Sequence, residues 1–203
     1  MSWFRAKSSN FAELNKKIFE SAALSADPTI KYLRNKLGGE TKEFQHKFVP
    51  VMFEFLHFFI HLANRSAFAQ LGAENSPKLS QKLVEHLVDS MVETLMGHWP
   101  NNLKQGMKTD FSNNYNIAEG DYATCRAIYL SPEEDTKTEE KLANGKKSKS
   151  MVGQLVDNVS EILTGKVNTD PFLLLTVPEG VLSMLKKNMK EIDALIIASK
   201  FNS

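Results

Sequence analysis

Apolar residues recur along this chain at intervals of three and four, the period of an α-helix, and strictly alternating stretches are scarce. The densest example is Phe44, Phe48, Val51, Phe55, Phe58 and Leu62, one continuous stripe along a helical face. Met52, Leu56, Phe59 and Ala63 form a second stripe on an adjoining face. A helix apolar over two faces is normally surrounded by other helices, so this one is expected to be a spine over about 41–71. Pro50 falls inside it and predicts a kink or a restart, because proline cannot donate to the carbonyl of His46.

The other six prolines stand where helices could begin, after Asp27, Ser76, Trp99, Ser131, Asp170 and Val177. They divide the chain into a helix from about Asn10 to Ala26 and a short one from Pro28, stopped at Gly38-Gly39. Further helices are expected from Pro77 to Gly97 and from Pro100 toward Leu130, the latter with a break near Asn113-Asn114 or Gly120. Helical periodicity resumes at Met151, and a last long helix runs from Pro178 to about Lys200. Residues 131–150 hold almost nothing apolar and read as a polar, mobile loop. The expected fold is therefore all-α: a single-domain bundle of six to eight helices around the Phe-rich spine, with residues 1–203 as one domain.

Composition narrows the partners. Lys plus Arg (25) balances Asp plus Glu (24), so no basic excess points to nucleic acid. The single cysteine, Cys125, excludes an internal disulfide and a multi-Cys zinc module, and is expected to be buried and inert. With no signal-peptide pattern at the N-terminus, a cytoplasmic location is expected. A membrane span is rejected because the run from Phe48 to Ala63 is short and carries Glu54, His57 and His61. The aromatic and basic residues at the N-terminus are too few for stable membrane insertion.

The candidate chemistry sits on the spine's remaining face. Glu54, His57, His61 and Arg65 are spaced 3, 4 and 4 apart and stack along one line. Glu-x-x-His is the ligand spacing of di-iron carboxylate bundles, and His-x-x-x-His can hold one transition metal. Both Glu-x-x-His pairs, Glu43/His46 and Glu54/His57, lie on one helix, whereas a di-iron site needs them on two. The plain structural reading is a solvated or half-buried face with its charges paired nearby.

A second line, Phe111, Tyr115, Ala118, Tyr122, Cys125 and Tyr129, puts three phenols on one face of the next helix but one. Phenylalanine would supply the same area, so these hydroxyls are expected to reach polar partners. If the two lines met, a polar slot between helices would result.

No phosphate-binding loop, nucleophile elbow or kinase signature is present, and no catalytic residue or cofactor is assigned. The leading reading is a binding or interaction module. Its slot for a small or anionic ligand would be lined by Glu54, His57, His61, Arg65, Tyr115, Tyr122 and Tyr129, with Arg65 pairing the anion. The alternative is a metal-dependent oxidoreductase, di-iron-like or mononuclear, using Glu54, His57 and His61. A third reading is a structural partner protein acting as a homodimer.

Overall fold

In the computed structural model every regular element among the described residues is a helix. The structure describes residues 3–39, 41–129, 150–167 and 171–200. These form α1 (Trp3–Leu37), α2 (Lys42–Leu71), α3 (Ser76–Met96), α4 (Asn101–Ala123), α5 (Met151–Thr164) and α6 (Leu173–Lys200). The expected polar loop, apart from Ser150, lies outside the described residues. Among the described residues no helix is long and apolar enough to cross a membrane.

The spine is where the Phe pattern put it. Thr41 caps α2 by accepting from the Phe44 amide at 3.1 Å, a side-chain cap on an otherwise unpaired first-turn donor. Every residue from Val51 to Ala63 is buried, and α2 packs against each of the other five helices. The burial includes the polar line, so Glu54, His57 and His61 do not form a solvated face. A helix wrapped on all sides has nowhere to expose one.

Two prolines behave differently from the sequence expectation. Pro28 and Pro178 do not start helices; each lies inside a continuous one, as Pro50 does in α2. Interior proline deprives the carbonyl four residues earlier of its donor. Those carbonyls belong here to Leu24, His46 and Leu174, all exposed residues, where water can take the missing bond. The helix therefore survives. The first helix also reaches back to Trp3, so Asn10 and Glu13 lie within it and do not cap its start.

Pro77 and Pro100 do mark helix starts, at α3 and α4. The latter runs unbroken through Asn113, Asn114 and Gly120 but ends at Ala123, short of the expected Leu130. Its last turn tightens: the Thr124 amide and hydroxyl both reach the Asp121 carbonyl, at 3.2 and 2.7 Å. Beyond that turn the chain caps the next helix, with Met151 and Val152 amides donating to the carbonyls of Ala127 and Ile128. Ser150 completes the cap by accepting from Gly153 N at 3.0 Å.

The most extensive helix pair is α1 against α6. It depends on small residues: Ser21, Ala22, Ser25 and Ala26 on α1 are buried, and Gly180 of α6 approaches Ser25. A Cβ added at Gly180 would lie 2.4 Å from the Ser25 carbonyl oxygen. Ser25 Oγ donates to Gly180 O at 3.3 Å, and Asn188 Nδ2 donates to Ser21 Oγ at 2.8 Å. These bonds fix the register of α6 along α1 and leave α2 to present its polar line toward α4 and α5.

Candidate functional site: a polar cleft beside the spine

Each member of the polar line meets a different partner. Glu54 is 8% exposed, and its Oε1 accepts from Tyr122 Oη at 2.5 Å and from Asn158 Nδ2 of α5 at 2.7 Å. The other oxygen lies 3.6 Å from His57 Nδ1. Burial pushes the Glu54 carboxyl up, but the His57 imidazole and the donors of Asn158 and Tyr122 outweigh it. The net effect holds Glu54 below the usual carboxylate range, as a buried anion whose Oε1 accepts two hydrogen bonds.

His57 is 2% exposed and lies against the ring of Phe111, at 4.4 Å between centroids. Neither of its ring nitrogens has a hydrogen-bonding partner in the protein. One turn on, His61 is 3% exposed, and its Nδ1 lies 3.0 Å from Glu119 Oε2 of α4, an ion-pair distance without hydrogen-bond alignment. Next to it, Asn64 Nδ2 donates to Tyr115 Oη at 2.6 Å.

The two lines thus do meet, across the α2–α4 interface. Burial first, then the neighbouring charges of Glu54 and Glu119, push the phenols of Tyr122 and Tyr115 above their ordinary value. Both stay neutral hydrogen-bonding groups at any ordinary pH.

Two residues assigned to the slot lie elsewhere. Tyr129 falls beyond the end of α4, so the helical spacing that aligned it with Tyr122 no longer applies, and it is 42% exposed. Arg65 is exposed where α2 emerges from the bundle, with Nη1 3.7 Å from Met151 Sδ. It does not line the cleft described below, and neither do His61, Tyr115 and Tyr122; of the residues assigned to the slot, Glu54 and His57 stand in that wall, and the cation expected to meet an anionic ligand does not.

Beside Glu54 and His57 opens a cleft of about 720 Å³ between α2, α4, α5 and the C-terminal end of α3. Phe53, Met96, Trp99, Met107, Ile117 and Ile162 supply its apolar wall. Its polar wall includes His46, Glu54, His57, Asp110, Asp121, Asn158 and Glu161. Burial and the charge of Glu54 together raise the Asp121 carboxyl.

Sequence reasoning missed Asn158, Glu119 and the three further carboxylates. Glu119 follows Tyr115 by one turn and could have been found from the flank of the tyrosine line. Asn158 comes from a helix more than ninety residues away and leaves no local signal.

Among the described residues, no group of three or more His, Cys, Asp or Glu side chains is placed to hold a metal ion. Glu54 turns to Tyr122 and Asn158 while His61 turns to Glu119, so the helical line does not converge on one point. On α3, Asp89 and Glu93 pair with Lys108 and Lys104 at 2.7 and 3.0 Å, and His86 packs on Phe11. No protein-family model, curated protein or solved structure matches the chain.

Proposed function

We propose that this chain is an all-α binding domain, and that the cleft beside His57 receives a small ligand. The observation that carries the reading is the state of that imidazole. It stands in the wall of the cleft, all but inaccessible, with Nε2 lacking any protein partner and Nδ1 3.6 Å from Glu54 Oε2 without a hydrogen bond. Leaving a buried polar group unpaired costs about 1–3 kcal/mol, and native structures keep few of them. A ligand that donates to or accepts from His57 removes that cost on binding. The cleft volume suits the reading, since small-molecule pockets span about 300–1,000 Å³ with mostly apolar walls and a few polar anchors.

The test is nuclear magnetic resonance on protein labelled in its imidazole and indole nitrogens, with benzene-sized amines, alcohols and acids as probes. The expected result is a saturable change at His57 and Trp99 with at least one probe. That change should be lost in Ala118→Leu, which places a larger side chain in the wall of the cleft. Two results overturn the reading: no saturable change with any probe, or a change that persists unaltered in a folded Ala118→Leu.

A further inference from the structure

Apart from the imidazoles of His46 and His57, charge in the cleft is one-sided. Four carboxylates stand in its wall, Glu54 from α2, Asp110 and Asp121 from α4, and Glu161 from α5. Among the described residues lining it there is no lysine or arginine. The lysines that α4 does carry on this stretch are turned away: Lys104 pairs with Glu93 and Lys108 with Asp89, both on α3.

Backbone polarity has the same sign. Pro50 leaves the His46 carbonyl without its helical donor, and both residues are in the wall. The α3 helix ends there as well, at Met96, and a helix C-terminus carries partial negative charge.

We infer that the cleft selects an organic cation, an ammonium group carried on an apolar or aromatic body. This rests on the proposed binding function and specifies its ligand. Carboxylates spread over three helices suit a diffuse, multi-donor cation better than a metal ion, which needs its ligands converged on one point. The His46 carbonyl and the buried Nε2 of His57, which has no protein partner, add acceptors for the N–H groups of the ligand. Trp99, in the wall and part-exposed, offers an indole face for a cation–π contact. Phe53, Met107 and Ile162 take the apolar body. An anion of the same shape meets like charge on three sides.

Three probes of one shape and different charge test this: 4-phenylbutylamine, 4-phenylbutanol and 4-phenylbutyrate. Each is titrated at neutral pH into the full chain carrying Trp3→Phe, which leaves Trp99 as the reporter of fluorescence. The amine is expected to bind at least tenfold tighter than the alcohol, and the acid more weakly than either. The triple variant Asp110→Asn, Asp121→Asn, Glu161→Gln changes three exposed residues, so the fold should persist. It should lose most of the amine preference and keep its affinity for the alcohol. If the alcohol binds as tightly as the amine, the cation inference falls while the cleft stands as a binding site. If none of the three gives a saturable signal, the binding function falls with it. An amine preference unchanged in the triple variant puts the cation elsewhere and overturns the assignment.

Discussion

Tyr122 donates to Glu54 at 2.5 Å across the α2–α4 interface, with the phenol fully buried and the carboxylate nearly so. This joins the two polar lines of the sequence and holds the wall of the cleft. A buried charge-assisted bond is stronger than a neutral one, and losing one partner leaves the other unpaired. Tyr122→Phe should therefore cost about 1–3 kcal/mol in urea unfolding. In Glu54→Gln the charge is gone, so the added Tyr122→Phe should cost clearly less. Additive losses in that double-mutant cycle would mean the two groups do not act together.

Acid should unfold the protein partly through Glu54. Its folded-state value lies below the ordinary 4.5, so the folded form binds its proton less readily than the unfolded chain does. The stabilisation is fully present above the unfolded value and is lost as pH falls through the folded one. Melting temperature should drop on acidification below about pH 4.5 in the wild type, and Glu54→Gln should show a shallower drop there. Parallel acid limbs would refute the assignment.

The alkaline limb has the opposite sign. Burial raises Tyr122 and Tyr115 above 10.0, so their contribution is intact below that value and is lost as pH rises through it. Ultraviolet titration should show two of the four tyrosines ionising only with unfolding. Four phenols titrating together in the folded protein would contradict the burial.

The spine was legible because burial on all sides leaves a local signature: Phe44, Phe48, Val51, Phe55, Phe58 and Leu62 keep one period. The tyrosine line was legible for the same reason as far as Tyr122. It failed at Tyr129 because nothing in the side-chain spacing announces the tightened turn at Thr124. Prolines misled at Pro28 and Pro178, where a donor lost on an exposed carbonyl is cheap enough for the helix to continue. Asn158, Asp110 and Glu161 reach the cleft only through tertiary packing of three helices, so no spacing within one segment could have grouped them.

Cys125 supplies a simple check on the end of α4. Its thiol is 5% exposed, just past the last helical turn, with Sγ 3.7 Å from the Asp121 carbonyl. A buried thiol reacts slowly because the reagent must wait for opening. Reaction with a disulfide reagent in native buffer should be at least about a hundredfold slower than in urea. Comparable rates would place the 124–129 segment away from the core.

Two glycines in helices should respond in opposite directions to the same substitution. Alanine is favoured over glycine in a helix interior by about 1 kcal/mol, chiefly because glycine has more freedom to lose. At Gly106 in α4 an added Cβ has nothing within 4 Å, so Gly106→Ala should stabilise by about 0.5–1 kcal/mol. At Gly180 the same methyl would press on the backbone of Ser25, which cannot turn aside as a side chain would. Overpacking costs about 1–3 kcal/mol, and here α1 and α6 must separate along their length. Gly180→Ala should therefore destabilise by about 2 kcal/mol despite its better propensity, and Ser25→Ala should not rescue it, because the contact is with the carbonyl. Urea unfolding of the two single variants decides the matter. A stabilised Gly180→Ala would mean that α1 and α6 do not approach this closely, and that the register set by Ser21, Ser25 and Asn188 is wrong.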